Sequence, residues 1–561
     1  VMTNYQFTGG TICAPATIPG TGAISIIRVS GKEALAIADK VIDTKGAPIA
    51  ETEGYRLRYG TVFEADGSVL DNVIVSVFRA PHSYTGENSV EISCHASRFI
   101  VNKILELLVN AGARIAAPGE FTRRAFVNGK MDLAQAEAVA DVIASQSAAS
   151  HRVAMNQLKG GFSSELKVLR EKLLTMTSLL ELELDFSEED VEFASRKELG
   201  QLVDDSLTHI GRLTASFSRG NAIKNGVPVA IVGATNTGKS TLLNALLGEE
   251  RAIVSDIAGT TRDTIEETLN IDGILFRFID TAGIRETDET IEKIGIDRTF
   301  KKLGEAAVVL GMTDLSRGEA AVLEDADFIL SKVNEMGGVK NVGTENDGSE
   351  TGGASPAETG GAPLAGTDGT SLAETGGIPL AETGGASQHG HGAEQERKVV
   401  ILVNKCDVAG DFYRDDNGTG YGSGNDLGKN MAEIGGNKNV NHDNNIVSLI
   451  ENKYDNCKVI PISAKTGKGL STLTKTLGEI GSEITGSTDE TLVTNVRHYE
   501  ALVRAASALE RVRAGLHIAT LPPDLIAQDL REALYHLGEI VGEITTDETL
   551  GNIFRNFCVG K

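Results

Sequence analysis

Five cysteines, at positions 13, 94, 406, 457 and 558, are scattered through 561 residues, and no two form a Cys-x-x-Cys pair. This scarcity speaks against a zinc site, an iron–sulfur site or a disulfide framework, and it suits a reducing, cytoplasmic setting. Long apolar runs are missing too. No stretch approaches the roughly 20 residues that a membrane span needs, and no signal peptide is visible, so neither membrane insertion nor secretion is expected. Positive charge is in deficit: 53 Lys and Arg stand against 78 Asp and Glu, a net charge of −25. A general polyanion binder is thereby disfavoured, and any nucleic-acid contact must use local basic patches against an unfavourable overall field. The length allows three or four domains with ample buried core.

What the chain does contain is a series of nucleotide-binding signatures. Gly233-Ala-Thr-Asn-Thr-Gly-Lys-Ser240 matches Gly-x4-Gly-Lys-Ser, whose glycines let backbone N–H groups close around phosphate oxygens. Asn236, Thr237, Gly238, Lys239, Ser240 and the following Thr241 are candidate GTP contacts. Lys239 would reach the β/γ phosphates, and the Ser240 hydroxyl would hold Mg2+. The apolar run Val227–Val232 predicts a buried strand and Ser240–Leu247 a helix, so the phosphate would meet a helix N-terminus.

Downstream, a strand Phe276–Asp280 delivers Asp280-Thr281-Ala282-Gly283. The carboxylate can join the Mg2+ shell, and the glycine N–H can sense the γ-phosphate. Asn404-Lys405-Cys406-Asp407 closes the apolar run Val399–Val403. Asp407 is suited to accept from N1 and N2 of guanine, a donor pair that adenine lacks. Ser463-Ala464-Lys465 follows the run Lys458–Ile462 and completes the base pocket, while Gly259-Thr260-Thr261-Arg262-Asp263 is a candidate switch. Five motifs in this order point to GTP. Ile284 stands where many GTPases place a water-orienting glutamine, so charge stabilisation and water positioning must come from elsewhere. Asn236 is a candidate, with its side-chain oxygen holding a monovalent cation near the β/γ bridge. The plainer reading is a turn residue.

The remaining sequence suggests a multidomain α/β and α+β chain. Residues 1–125 alternate short β-like runs such as Ala23–Val29 and Asn72–Phe78 with turns such as Asp66-Gly67, the pattern of an α+β domain. Helical stripes then take over in 126–225: a capping box Asp132–Gln135 precedes Leu133, Ala136, Ala140 and Ile143, and a second stripe runs through Leu166, Leu169, Leu173, Met176, Leu180 and Leu184. After the doubly wound P-loop GTPase domain of 226–485, stripes return in 486–561 as Leu502, Leu509, Val512 and Leu516, then Leu530, Leu534, Leu537, Val541 and Ile544. These stripes are most simply one discontinuous helical bundle with the GTPase domain inserted between its halves. Residues 335–396, which repeat Ala-Glu-Thr-Gly-Gly, and 409–445, rich in Gly, Asn and Asp, read as low-complexity insertions.

The inserted GTPase domain, the Gly-Thr-Thr-Arg-Asp switch and the terminal Phe557-Cys-Val-Gly-Lys561 together resemble the MnmE (TrmE) family of tRNA-modification GTPases. So do Pro118-Gly-Glu-Phe-Thr-Arg-Arg-Ala-Phe126 and Asn128–Glu137. The chain departs from the family pattern at Thr235, usually proline, at Gly20–Ser25, at His95-Ala-Ser97 and at the strand end Leu310-Gly-Met-Thr-Asp314. The resemblance implies an N-terminal tetrahydrofolate-binding-like domain that takes 5,10-methylene- or 5-formyl-tetrahydrofolate through Arg28, Glu91, Lys130 and Lys561. It implies K+ ligands at Asn236, Ser255, Ile257 and Thr260, Mg2+ ligands at Ser240 and Thr261, and GTP contacts that extend to Ser255, Asp256, Ile257, Ala258 and Gly259. Asn236, Lys239 and Glu292 would be the catalytic residues, with Glu292 helping to position the attacking water. Read on sequence alone, Glu292 belongs to a solvated charge run.

The family reading implies a homodimer that works with a flavin-binding partner of the MnmG family. Together they would place a carboxymethylaminomethyl group at C5 of the wobble uridine, position 34, of certain tRNAs, and Cys558 would lie near the folate site. An RNA-associated GTPase switch without modification activity, such as a ribosome-assembly factor, is the alternative. It would ordinarily bring a compact basic RNA-binding domain, which the acidic helical segments do not supply.

Overall fold

The computed structural model describes residues 9–185, 195–250, 267–279, 306–335, 397–407, 446–454, 457–486, 490–517, 522–555, 557 and 560. Seven strands form the first sheet: β1 (Ile12–Pro15), β2 (Ile24–Ser30), β3 (Ile42–Thr44), β4 (Arg56–Phe63), β5 (Val69–Phe78), β6 (Ser89–His95) and β7 (Arg114–Ile115). They lie in the order β3-β4-β5-β6-β2-β1-β7, antiparallel except for the β1–β7 pair. The period of two is plain in β5, where Val73, Val75 and Val77 are buried while Ile74 is exposed. The inward face packs on the helices Ala34–Val41 and Arg98–Asn110. The opposite face carries Arg28 and Glu91 side by side in the β2–β6 register.

The second sheet contains β8 (Val227–Gly233), β9 (Glu267–Ile271), β10 (Ile274–Ile279), β11 (Val308–Asp314), β12 (Lys398–Asn404) and β13 (Cys457–Pro461). Its order is β13-β12-β11-β8-β10-β9, parallel except at the β9 edge. Both faces are covered, and the central strands are accordingly continuous apolar runs rather than alternating ones. The helices Lys239–Glu250 and Leu470–Thr485 pack on one face, and Glu319–Glu335 and Ile446–Lys453 on the other. β8 sits where the strand order turns back, with β10 on one side and β11 on the other. In open α/β sheets, ligands bind at the carboxyl ends of the strands around such a switch point.

The helices Leu133–Ala144, Gly161–Asp185 and Arg196–Ala215 share one core with Val496–Leu516 and Pro523–Val541. Residues from before and after the second sheet therefore close a single bundle, and the sheet is an insertion in it. Both chain crossings are sewn to the bundle: a Cβ on Gly220 would come within 2.2 Å of the Val493 carbonyl oxygen, and Gln157 donates to the Leu492 carbonyl at 3.1 Å. The Asp132 capping box forms as expected, with the Asp132 side chain taking the Gln135 N–H and the Gln135 side chain reaching back.

Three sequence expectations need correction. Ile143 is 49% exposed rather than part of the buried stripe, one residue before the helix Leu133–Ala144 ends. Ile544 lies beyond the helix Pro523–Val541, which stops at Gly542 in a left-handed cap; its side chain packs back near Gly538. The expected boundary at 125/126 falls inside the helix Glu120–Val127. The expected insertions at 335–396 and 409–445 lie outside the described residues, apart from Glu335, which ends a helix.

Candidate functional site

Three loops meet at the carboxyl edge of the second sheet. The first follows β8. Gly233 has φ +155° and Gly238 φ +99°; a Cβ on Gly233 would lie 2.3 Å from the Met312 carbonyl oxygen, and one on Gly238 would lie 2.5 Å from the Asn404 side-chain nitrogen. Only glycine lets this loop close so tightly against its neighbours. Asn236 has φ +62° and is exposed at the crest, a conformation Asn tolerates better than most residues. Thr237 is buried and donates its hydroxyl to the Ala234 carbonyl at 2.9 Å. Lys239 opens the following helix, and its ammonium donates to the carbonyls of Gly233 and Ala234 at 2.8 and 2.7 Å. Burial lowers the pKa of that ammonium. Ser240 and Thr241 continue the first helical turn.

The second loop ends β12. The Asn404 side chain donates to the Thr237 carbonyl at 2.7 Å and accepts from the Ala464 N–H at 3.0 Å. One buried amide thus ties the phosphate-type loop to both of the other loops. Lys405 has φ +65°, and its ammonium pairs with Asp314 at 2.6 Å. Asp407 follows, half-buried. The third loop follows β13: Ser463 is fully buried, its hydroxyl accepts from the Thr466 N–H at 3.2 Å, and Lys465 is exposed. Asn236, Thr237, Gly238, Lys239, Ser240, Asn404, Lys405, Asp407, Ser463, Ala464 and Lys465 are accordingly gathered at one sheet edge. Ser255, Asp256, Ile257, Ala258, Gly259, Thr260, Thr261, Asp280, Thr281, Ala282, Gly283 and Glu292 lie outside the described residues.

A second cluster lies on the outer face of the first sheet. Arg28 and Glu91 form an ion pair at 2.8 Å, with side-chain exposures of 15% and 25%. The guanidinium sits 5.1 Å from the Tyr84 ring centre and 5.7 Å from that of Phe121, cation–π geometry on two rings. The Gly560 carbonyl accepts from Arg28 at 3.4 Å, so the C-terminal tail reaches this face. Gly560 is wedged there, since a Cβ would lie 2.0 Å from the Pro15 carbonyl oxygen. Lys130 is placed to one side, with its ammonium on the Pro81 carbonyl at 3.1 Å. Lys561 and Cys558 are outside the described residues. Tyr84 and Phe121 escaped sequence reasoning because single aromatics carry no spacing signal. Asp314 was legible only as an unusual strand end.

Cys13, Cys94, Cys406 and Cys457 are buried, and burial pushes each thiol up to about 11. None is a ready nucleophile. Among the described residues no group of three or more His, Cys, Asp or Glu is placed to hold a metal ion, and no helix is long and apolar enough to cross a membrane.

Strand order, glycine loop and inserted position together define a P-loop α/β domain carried by a split helical bundle, beside a separate mixed-sheet domain. The family model for the MnmE helical domain matches residues 133–558, and that for the GTP-binding protein TrmE N-terminus matches residues 11–130. The chain belongs to the MnmE family. A protein of Parabacteroides distasonis named tRNA modification GTPase MnmE is 44% identical over 98% of this chain and 100% of its own length. Relatives of the same name from Bacteroides thetaiotaomicron and Bacteroides fragilis are 43% and 44% identical, each over 98% of this chain and 99% of their own.

Proposed function

We propose that this chain hydrolyses GTP to GDP and phosphate in the service of tRNA modification. The observation that carries the reading is Asn404, whose amide joins the phosphate-type loop to the two loops that frame a base. That bridge makes nucleotide and base recognition one preorganised unit. Lys239 counters phosphate charge in a partly desolvated position, where a fixed charge counts for more than it does in water. Asp407 selects guanine through its paired N1 and N2 donors.

The donor sets suit the ions this reading requires. Ser240 supplies a hydroxyl at a helix N-terminus, the hard oxygen that Mg2+ prefers. Asn236 offers a neutral amide oxygen at the loop crest, where K+ would add positive charge near the β/γ bridge in place of an arginine. Thr261, Ser255, Ile257 and Thr260 would complete these shells, and Glu292 would help to place water in a chain that has Ile284 after Asp-Thr-Ala-Gly. Hydrolysis then works as a switch on the arrangement of the domains rather than as chemistry on the base.

In the same proposal, residues 1–125 bind a one-carbon tetrahydrofolate. Arg28, flanked by two aromatic rings, fits a flat molecule that bears carboxylates. Lys130 and Lys561 would add positive charge, and the folate would supply the carbon for C5 of the wobble uridine. The chain would act as a homodimer with a flavin-binding partner of the MnmG family, in the cytoplasm, to install a carboxymethylaminomethyl group. The test is nucleoside mass spectrometry of tRNA from a deletion strain. Loss of the modified wobble uridine is expected, and unchanged wobble uridines would leave only an RNA-associated switch.

A further inference from the structure

Asp314 ends β11 with its side chain almost fully buried. Its carboxylate takes three hydrogen bonds from two residues. One oxygen accepts from the Lys405 ammonium at 2.6 Å; the other accepts from the Ser316 N–H at 3.0 Å and from the Ser316 hydroxyl at 2.6 Å. The serine contacts set the carboxylate's orientation, and the lysine contact makes use of it. Burial raises the carboxyl pKa, but the bonds from Lys405 and Ser316 outweigh that and hold it below the usual carboxylate range. Lys405 itself sits in the left-handed region, which a non-glycine residue keeps only where its surroundings hold it. In the β11–β12 register Asp314 stands opposite Asn404, so it faces the start of the Asn-Lys-Cys-Asp turn. The same strand supports the phosphate-type loop two residues earlier, where Met312 stands opposite Gly233.

We propose that Asp314 is a positioning residue for the nucleotide base. By anchoring the Lys405 ammonium away from the base, it holds the aliphatic stem of that lysine as a fixed apolar wall for the guanine ring, between Asn404 and Asp407. A lysine stem buries well against a flat surface when its charged end is satisfied elsewhere. The inference rests on the guanine-nucleotide reading above and deepens it. A wall contacts the ring plane and ignores the ring substituents, whereas Asp407 reads the N1 and N2 edge. Loss of Asp314 should therefore weaken binding without changing which base is preferred. The expected loss is about three- to tenfold, the cost of ordering one lysine side chain on binding.

The full-length protein and its Asp314→Asn, Lys405→Ala and double variants would be titrated with a fluorescent N-methylanthraniloyl GDP, with GDP and inosine diphosphate as competitors. Inosine lacks the 2-amino group, so the GDP-to-inosine ratio reports the Asp407 contact. Asp314→Asn is expected to raise Kd about three- to tenfold with that ratio unchanged, and to add less than about twofold on the Lys405→Ala background. An unchanged Kd, a collapsed ratio, or a full additive loss on the Lys405→Ala background would overturn the inference. Should Asp314→Asn fail to fold, Ser316→Ala removes one of the two bonds orienting the carboxylate. It is expected to weaken binding about twofold, and an unaltered Kd there would overturn the inference equally. Failure of the wild-type chain to take up the probe would instead sink the guanine reading, and this inference with it.

Discussion

Replacing Glu137 with glutamine is expected to destabilise the helical bundle strongly and in a pH-dependent way. Glu137 is buried on the helix Leu133–Ala144, and its two oxygens accept from Arg497 at 3.0 and 2.9 Å, while His498 lies 2.6 Å from one of them. Arg497 also donates to the carbonyls of Glu539 and Ile540 at 2.7 and 3.0 Å. One carboxylate therefore organises three helices from both halves of the bundle. Burial raises its pKa, but His498 and Arg497 outweigh burial and bring the value from 4.5 down to about 2. A carboxyl with a depressed folded-state pKa stabilises fully above its unfolded value and loses that contribution as pH falls through the folded one. The window here runs from 4.5 down to about 2. The shift corresponds to about 3 kcal/mol at neutral pH, falling to less than about half of that near pH 3. Breaking a buried ion pair from one side costs a similar amount, about 3–5 kcal/mol. With no tryptophan in the chain, urea unfolding by far-ultraviolet circular dichroism is the suitable assay, at neutral pH and near pH 3. A neutral-pH difference under about 0.5 kcal/mol, the usual range for surface substitutions, would refute the reasoning, as would a difference that stays constant with pH.

Three further outcomes are expected. Asp407→Asn should exchange GTP for xanthosine triphosphate, losing about 100-fold or more for GTP, since a site built for a donor pair rejects a ligand that leaves it unpaired. Competition binding measures this, and retained GTP selectivity would contradict the assigned contact. GTP turnover should be faster in K+ than in Na+ at equal ionic strength; equal rates by phosphate release would remove Asn236 from its proposed role. Gly119→Ala should loosen the helix Asp547–Arg555, because Gly119 has φ +67° and an added Cβ would lie 2.6 Å from the Phe554 carbonyl oxygen. Limited proteolysis should then cleave the tail sooner, and an unchanged digestion pattern would show that the junction yields without cost.

Much of the architecture could be read in advance because its signals are local. The apolar runs of β8 and β12 and the loops behind them are set by neighbours in sequence. The leucine stripes of Gly161–Asp185 and Val496–Leu516 repeat every three or four residues, and Leu166, Leu169, Leu173, Leu502 and Leu509 are indeed core. Glu137 could not be read this way. A charged residue on a helix is ordinarily solvated, and what buries this one is an arginine 360 residues later. Ile143 misled for the opposite reason, since its helical phase matched the stripe but its side chain is left exposed near the helix end.

The contrast between the two candidate sites shows where the limit lies. Gly233, Asn236, Gly238, Lys239, Asn404 and Asp407 announce themselves in short motifs, because loops that wrap phosphate and base need particular backbone freedom and particular donors at fixed spacing. Which loops touch, and through which atom, is not written in any motif. The Asn404 bridge, the Asp314 anchor of Lys405 and the two rings around Arg28 exist only because strand pairing and the packing of helices and loops on the sheets bring distant residues within hydrogen-bond or stacking distance. Local pattern specifies which chemistry a segment can offer; tertiary packing decides which of those offers meet, because contact depends on distance in space and not on distance along the chain.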